Sequence, residues 1–313
     1  MTRRIIIDTD PGIDDAVAIL LALAAPQELE VLGIVAVAGN LPVAQTERNV
    51  RWICELAGRP DIAVYGGCAR PLLRPLATAA AIHGDSLGQR LDLPEPTMAL
   101  QLPHGVDFMI ETLRAAAPRS VTLCALGPLT NIAMALVKAP DIAAGIAELV
   151  ILGGAAFEIG NVTPAAEFNI HVDPHAAAIV LESGVPITMI PLDVTHQVLS
   201  TPPRIARLRA LPNRCGPAMA VLLDQFEASR TARFGARGMA LHDPCAVAFL
   251  LRPTQFDGRS VNVAVETQTA LTIGMTVVDW WGVTGRPVNV RWLSTVDADG
   301  LYELLTEKLA RLP

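Results

Sequence analysis

The sequence is short of lysine and has no closely spaced cysteine pair, and each shortage excludes a class of protein. Lys138 and Lys308 are its only lysines and the formal net charge is −7, so the chain lacks the basic surface that binds nucleic acids. The five cysteines are odd in number and contain no Cys-x-x-Cys pair, which is typical of reduced thiols rather than of a disulfide framework. We therefore expect no nucleic-acid partner and no disulfide scaffold.

Long apolar runs and a secretion signal are lacking as well. The longest uninterrupted apolar run, Ala16 to Ala25, is too short to cross a bilayer as a helix. Acidic residues begin at Asp8, which is too early for the apolar core of a signal peptide. We therefore expect a cytoplasmic protein with no membrane partner.

The two common motifs for nucleotide phosphates are also missing. The chain has no G-x-x-x-x-G-K-[ST] phosphate loop, and no G-x-G-x-x-G follows its first predicted strand. Both motifs hold phosphate groups through backbone N–H groups, so their absence argues against substrates that carry a phosphate. We expect phosphorylated nucleotides to be poor ligands.

Apolar, β-rich runs alternate with helical patterns along most of the 313 residues, which predicts an α/β fold. Continuous Val, Ile and Leu strands between helices indicate an open, mostly parallel, Rossmann-like sheet flanked by helices. The predicted strands are 5–7, 31–38, 62–65, 121–126, 149–152 and 187–192, with further strands near 261–278 and 288–293. The predicted helices lie near 14–25, 44–57, 105–116, 129–138, 174–183, 202–230, 243–251 and 298–311. We predict a single domain over 1–313, which can include a small helical subdomain near 195–240.

The most informative segment places four aspartates within eight residues, directly after the first predicted strand. It reads Asp8-Thr9-Asp10-Pro11-Gly12-Ile13-Asp14-Asp15. A helix N-terminus favours negative charge, so helix capping accounts for one of these acids but leaves Asp10, Asp14 and Asp15 together unexplained. Because the carboxylates would repel one another, a hard cation with oxygen ligands, Ca²⁺ or Mg²⁺, is the better account.

Other polar clusters also follow predicted strands, at the edge where an open parallel sheet places its binding site. Each cluster alone has a structural explanation, such as the end of a strand, but together they place acids and amides on one edge. In the last of them, Glu167 and Asn169 suit recognition of neighbouring sugar hydroxyls, and Phe168 suits exclusion of water. The clusters are Asn40, the turn 127–131, His242-Asp243-Pro244, and the polar, proline-containing loop 160–169.

In these motifs and in their order, the chain resembles the nucleoside hydrolases of the inosine–uridine-preferring family. The resemblance extends from residue 5 to the final helix and implies hydrolysis of the N-glycosidic bond of ribonucleosides to free base and ribose, around one Ca²⁺. It also implies a homodimer or a homotetramer. The segments that carry it are Asp8 to Ala16, Ala38-Gly39-Asn40, Gly127-Pro128-Leu129-Thr130-Asn131, Gly160-Asn161 through Phe168-Asn169, and His242-Asp243-Pro244.

The resemblance implies a metal site and a general base, and the chemistry of the leaving base suggests a proton donor. The resemblance gives the carboxylates of Asp10, Asp15 and Asp243 and the carbonyl of Leu126 as the Ca²⁺ ligands. Asp10 is in addition the implied general base for a Ca²⁺-bound water. His242, whose imidazole has an intrinsic pKa near ~6.5, is the candidate proton donor to the leaving base.

The resemblance also implies a set of substrate contacts. By this resemblance, the residues that bind the ribose hydroxyls are Asp14, Asn40, Asn161, Glu167 and Asn169. His83 and His242 lie where the family places residues near the base. The segment 226–238 lacks the tyrosines often found before His-Asp-Pro, so the sequence leaves the choice between purine and pyrimidine open.

Two other functions remain open at this point. A Ca²⁺-dependent nucleoside- or ribose-binding protein without turnover would carry the same sugar contacts, and only Asp10 and His242 favour catalysis over it. Asp8-Thr9-Asp10 also resembles the D-x-D nucleophile motif of haloacid-dehalogenase-type phosphatases. That class needs a lysine beside the motif, whereas Lys138 and Lys308 both fall in predicted helices.

Overall fold

The strands and helices below are those of a computed structural model, which describes residues 2–79, 87–234 and 239–313, with only the backbone described for 226–234. The strands are β1 (Arg3–Thr9), β2 (Leu29–Ala36), β3 (Val64–Gly66), β4 (Val121–Ala125), β5 (Ile146–Leu152), β6 (Ile187–Ile190), β7 (Leu199–Ser200), β8 (Met239–Ala240), β9 (Phe256–Val265), β10 (Thr276–Asp279) and β11 (Val290–Val296). The helices are α1 (Ile13–Leu23), α2 (Val43–Leu56), α3 (Leu87–Arg90), α4 (Gly105–Ala115), α5 (Thr130–Lys138), α6 (Phe168–Val172), α7 (Pro174–Leu181), α8 (Leu192–Thr195), α9 (Pro202–Arg209), α10 (Cys215–Phe234), α11 (Pro244–Leu251) and α12 (Ala298–Leu309).

A nine-stranded sheet forms the centre of the molecule, in the order β10-β9-β11-β6-β5-β4-β1-β2-β3. Every pair from β11–β6 to β2–β3 is parallel, whereas β9 runs antiparallel to both β10 and β11. The predicted open, mostly parallel sheet flanked by helices is therefore confirmed. Its antiparallel end is built from the last strands of the chain.

Alternation along the central strand supplies both hydrophobic cores. Ile5 and Ile7 of β1 face one core, and Ile6 faces the other. All three side chains are fully buried, since a parallel sheet covered by helices on both faces leaves no solvent side. The side chains of β1 therefore pack into both cores, one on each face of the sheet.

Helix α1 is buried along its whole length, because it packs between the sheet and the helices α2, α10 and α11. This burial explains the apolar run from Ala16 to Ala25, since a helix that is apolar on all sides needs protein on all sides. Among the described residues, no helix is both long enough and apolar enough to cross a membrane.

Two local predictions are wrong, and a third needs its bounds corrected. The helix predicted over 202–230 is two helices, α9 and α10, and the break between them contains Pro212, which lacks the N–H that a helix interior needs. The strands predicted near 261–278 are present as an antiparallel hairpin, although β9 begins earlier, at Phe256, before β10 returns beside it. The residues Glu167 to Asn169 are not in a loop, because α6 begins at Phe168 with Glu167 as its N-cap.

The region 195–240 packs onto the same core as α1. Ile205 and Leu208 of α9, and Met219 and Leu222 of α10, are fully or almost fully buried in that core. β7 and β8 pair with each other in a separate two-stranded sheet. The single domain over 1–313 stays a prediction, with this region as its candidate helical subdomain.

Replacing Leu20 by alanine tests the buried position of α1. Leu20 is fully buried, so Leu20→Ala leaves a cavity and should lower the free energy of unfolding by about 2–5 kcal/mol. The matched control is Val137→Ala on α5, whose side chain is 60% exposed, and its effect should stay within about 0.5 kcal/mol. Urea denaturation midpoints measure both, and equal midpoints for the two variants would contradict the buried packing of α1.

Candidate active site

Four buried carboxylates meet beyond the carboxyl end of β1. Asp10 follows that strand, and Asp14 and Asp15 lie in the first turn of α1. Asp243 immediately precedes α11, which packs against α1 and so brings this distant residue to the same place. Carboxylate oxygens of Asp14, Asp15 and Asp243 all lie within 4.8 Å of one another. None of the four residues is more than 5% exposed.

Hydrogen bonds from neighbouring groups fix two of these carboxylates. The Thr9 hydroxyl donates to Asp15 Oδ1 at 2.5 Å, and the Gly12 backbone N–H donates to Asp15 Oδ2 at 2.8 Å. The Asn40 backbone N–H donates to Asp10 Oδ2 at 2.6 Å. The other oxygen, Asp10 Oδ1, is buried and has no hydrogen-bond partner in the described part of the chain. The Oδ1 atom of Asp10 is therefore available to contact a ligand.

The backbone approaches the Asp10 carboxylate so closely that two neighbouring positions need glycine. A Cβ on Gly39 would lie 2.1 Å from Asp10 Oδ2, and a Cβ on Gly127 would lie 2.5 Å from Asp10 Oδ1. Real Cβ atoms do not make contacts this short. The glycines of the Gly39-Asn40 and Gly127-Pro128 motifs therefore make room for this aspartate.

The electrostatics of the cluster favour a bound cation. Burial raises the pKa values of Asp10, Asp15 and Asp243 above the ordinary 3.8, and the charge of Asp15 raises the pKa of Asp10 further. The charges of Asp14, Asp15 and Asp10 likewise raise the pKa of Asp243. A set of oxygen donors with so much negative charge suits a hard divalent cation. The residues present could therefore hold a metal ion.

Asn40 and Leu126 extend this cluster. The Asn40 side-chain amide lies 3.3 Å from the Asp10 carbonyl and 3.4 Å from Asp15 Oδ2. Leu126 directly follows β4, the neighbour of β1, and its carbonyl oxygen accepts a 2.7 Å hydrogen bond from the Asn169 side chain. The structure thus brings Asn40 to the acids and links Leu126 to Asn169, while the metal role of Leu126 stays a prediction.

Glu167 and Asn169 form most of their hydrogen bonds with the backbone. The Glu167 carboxylate accepts from the N–H groups of Asn169, Ile170 and Gly154, at 2.9, 3.2 and 3.1 Å. Burial raises the pKa of Glu167 to about 7. The Asn169 amide donates to the carbonyl of Leu152, at 3.2 Å, as well as to that of Leu126. Both side chains join the ends of β4 and β5 to α6, and their ribose contacts stay predictions.

The remaining predicted contacts lie around these residues or outside the described chain. Asn161 is half-buried, and its side-chain oxygen accepts from the backbone N–H of Phe168, itself half-buried, at 2.9 Å. His242 is 9% exposed, and its Nδ1 lies 2.8 Å from the Thr195 hydroxyl. His83 lies outside the described residues.

Two contributors to the site were missed from the sequence. The sequence indicates Asn131 only as a turn residue, but its amide donates to Asp8 Oδ1 at 2.7 Å and its oxygen accepts from the Cys68 backbone N–H at 2.7 Å. It therefore connects the ends of β1, β3 and α5 beneath the acids. Thr195, the partner of His242, follows no recognisable motif, so only the three-dimensional structure reveals it.

Neither lysine is placed to serve a phosphatase. Lys138 forms an ion pair with Asp107 on the surface, and Lys308 forms one with Glu28 at the opposite end of α1 from the acids. A haloacid-dehalogenase-type reaction needs a lysine beside the Asp8-Thr9-Asp10 segment. The phosphatase alternative is therefore not favoured.

Comparison with known proteins agrees with this arrangement. A sequence model of the inosine-uridine preferring nucleoside hydrolases matches residues 5–303, so the chain belongs to this family. It is therefore an N-glycosyl hydrolase, as the resemblance implied.

Individual relatives match over nearly their full length. The chain is 54% identical to an uncharacterized protein of Schizosaccharomyces pombe, covering 99% of this chain and 100% of that one. It is 46% identical to a pyrimidine-specific ribonucleoside hydrolase of Shewanella sp. (strain MR-7), covering 99% and 97%. Among solved structures, a purine-preferring ribonucleoside hydrolase from Gardnerella vaginalis matches with a TM-score of 0.90 at 32% identity, covering 98% of each chain.

The raised pKa of Asp10 predicts that Asp10→Asn stabilises the protein once metal has been removed by a chelator. A carboxyl whose pKa is higher in the folded than in the unfolded chain destabilises the fold as pH rises above 3.8, because the folded form disfavours the charge. The neutral amide can still accept from Asn40 through its oxygen. We expect a gain of about 1 kcal/mol, or about 2 °C in Tm, at pH 7, and little gain near pH 4.

Thermal unfolding in a chelator at the two pH values measures this effect. The control is Asp297→Asn, at the N-cap of α12, where the carboxylate accepts the Gly300 N–H at 3.0 Å and relief of repulsion is not expected. A Tm for Asp10→Asn that falls equally at both pH values would show that Asp10 is not under electrostatic stress.

Proposed function

We propose that the protein hydrolyses the N-glycosidic bond of pyrimidine ribonucleosides to free base and ribose, with Ca²⁺ as its cofactor. The observation that carries the proposal is the cluster of the buried aspartates Asp14, Asp15 and Asp243, with buried Asp10 close enough to feel their charges, in a member of the nucleoside hydrolase family. The proposed Ca²⁺ ligands are the carboxylates of Asp10, Asp15 and Asp243 and the carbonyl oxygen of Leu126.

The donor set supports Ca²⁺ over softer metals. The proposed ligand atoms are all oxygens, and Asp10 Oδ1 is a buried acceptor without a hydrogen-bond partner among the described residues. Ca²⁺ accepts six to eight oxygen ligands in flexible geometry, whereas zinc prefers nitrogen and sulfur. When bound, the cation would neutralise the acids, bind sugar hydroxyls and orient the attacking water.

Asp10 is the proposed general base. Its Oδ2 is held by the Asn40 N–H, so Oδ1 is the atom that would take the proton of the attacking water. The negative charges around it would also stabilise the positive charge that develops on the ribose as the C–N bond breaks.

The amides and acids around the cluster are the proposed ribose contacts. The Asn169 amide donates to two carbonyls, so its Oδ1 is the atom proposed to accept from a sugar hydroxyl. Phe168 is proposed to exclude water from the reacting bond. The full proposed set for the ribose is Asp14, Asn40, Asn161, Glu167 and Asn169.

His242 is the proposed acid for the leaving base. The hydrogen bond between the Thr195 hydroxyl and Nδ1 of His242 restrains the plane of the imidazole ring. His242 directly precedes Asp243 in sequence and so lies beside the proposed metal ligands. We propose that the other ring nitrogen gives the proton to the departing base. His83 stays a proposed contact of the base.

The preference for pyrimidines is supported by sequence similarity. Relatives that are 46% identical over almost the whole chain are named pyrimidine-specific, whereas the purine-preferring solved structure is 32% identical. A nucleoside-binding protein without turnover is not favoured, since these relatives are named hydrolases. A cytoplasmic location is supported by the five free cysteines, and the homodimer or homotetramer is supported by the family resemblance alone.

A substrate panel tests the proposed activity. We expect the purified protein with Ca²⁺ to release reducing sugar from uridine and cytidine with kcat/KM at least about tenfold higher than from inosine and adenosine. Chelation should stop the release and added Ca²⁺ should restore it. Uridine 5′-monophosphate should be a poor substrate, because the sequence carries neither phosphate motif.

Each outcome of the panel bears on one part of the proposal. Binding of nucleosides without sugar release would contradict catalysis and favour the binding protein. Faster cleavage of the purine nucleosides would contradict the pyrimidine preference, and unchanged turnover after complete removal of metal would contradict the cofactor.

His242→Ala tests the proton donor. On uridine, kcat should fall by about 10²–10⁴-fold, which is the usual contribution of general acid catalysis. On an aryl riboside whose leaving group is acidic enough to depart without a proton, kcat should fall far less. His104→Ala is the control, since His104 only caps α4 through the Val106 N–H. Equal losses on both substrates would contradict the role of His242 as acid.

A further inference from the structure

Asp193 lies outside every proposed catalytic and binding set, yet one carboxylate there accepts four hydrogen bonds. Its Oδ1 accepts from the backbone N–H groups of Phe157 and Glu158, each at 2.7 Å. Its Oδ2 accepts from the Ala156 N–H and from the Trp292 indole N–H, each at 3.2 Å. Asp193 is only 8% exposed, so these four donors replace the water that a carboxylate otherwise binds.

The segment 156–158, which Asp193 anchors, gains little stability from burial of its own side chains. Ala156, Phe157 and Glu158 are all exposed, and they lie between β5 and α6 in a stretch without helix or strand. The Phe157 ring packs edge-on against Trp280, and the Glu158 carboxylate pairs with His196 Nδ1 at 3.0 Å. A loop with few buried apolar side chains depends on its polar contacts for its position.

This loop leads directly to a proposed ribose contact. Asn161 follows the three anchored residues, and its own oxygen accepts the Phe168 N–H, which joins it to the start of α6. Asp193 thus fixes the loop on one side of Asn161, and Phe168 fixes it on the other. A shift of the anchored residues would be transmitted to the Asn161 side chain.

The short helix α8, which carries Asp193, also supports His242 on the other side of the site. Asp193 and Thr195 both lie in α8, which spans only four residues after β6, and Thr195 bonds His242. One face of α8 therefore holds the loop of Asn161, and another holds the imidazole of His242. The distance between these two sides of the site depends on the α8 backbone.

We propose that Asp193 is a positioning residue, which sets Asn161 against the ribose by anchoring the backbone of 156–158 to α8. The proposal rests on the proposed function, because it takes Asn161 as a ribose contact. The chemistry of the anchor requires a carboxylate, since both oxygens face N–H donors. An asparagine at this position offers one acceptor, and its NH₂ group would face two N–H groups.

The test is a double-mutant cycle of Asp193→Asn and Asn161→Ala, with kcat and KM for uridine measured separately. Each single variant should lower kcat/KM, by about ten- to a hundredfold for Asp193→Asn, which is the range expected from small misplacement of a substrate contact. The double variant should be within about twofold of Asn161→Ala, because both changes remove the same contact.

Glu55→Gln is the matched control for loss of a loop anchor. Glu55 Oε1 accepts the backbone N–H groups of Thr97 and Met98, at 2.6 and 2.7 Å, in a segment that carries no proposed site residue. This variant should leave kcat/KM within about twofold of the parent. Its Tm shows how much stability the loss of such an anchor costs by itself.

A milder variant keeps the test usable if Asp193→Asn does not fold. Glu158→Ala removes only the exposed pair with His196 and should give a smaller fall in kcat/KM, which disappears in the Asn161→Ala background. Losses that add in the double variants, or a lower Tm with unchanged kcat/KM, would overturn the positioning role. A parent protein without turnover, or an Asn161→Ala variant with full activity, would instead overturn the proposed function.

Discussion

Mutual repulsion among buried carboxylates is the constraint around which this molecule is arranged. Asp10, Asp14, Asp15 and Asp243 are kept from water and close to one another, so each raises the cost of charging its neighbours. The fold supplies hydrogen-bond donors to some of their oxygens, while Asp10 Oδ1 has no hydrogen-bond partner among the described residues. An arrangement that is unfavourable in the empty protein is well suited to binding a hard ion and to stabilising a cationic sugar.

Much of the fold could be predicted because the signals were local. The alternation of apolar strands and helices identified the parallel sheet, and the crowded aspartates indicated that acids would cluster at the carboxyl end of β1. The hairpin of β9 and β10 was harder, because strand direction depends on partners far along the chain. The break before α10 had a signal in Pro212 that a long helical pattern obscured.

The clustered acids of the site were predictable from the sequence, whereas the residues that support them were not. Asp10, Asp15 and Asp243 belong to recognisable motifs, so their type and order pointed to a cation. Asn131 and Thr195 act through hydrogen bonds to residues that are distant in sequence, and no spacing rule links such pairs. Glu167 illustrates a further limit, because its carboxylate caps α6 while also lying among the proposed ribose contacts.

The pairing of α1 with α11 has a consequence for how the protein is made. Asp243 is synthesised more than two hundred residues after Asp10 and Asp15. A nascent chain therefore carries Asp10 and Asp15 without their distant partner over that whole stretch, and the acid cluster can close only when α11 packs on α1. Such long-range closure favours slow, late assembly of the catalytic centre.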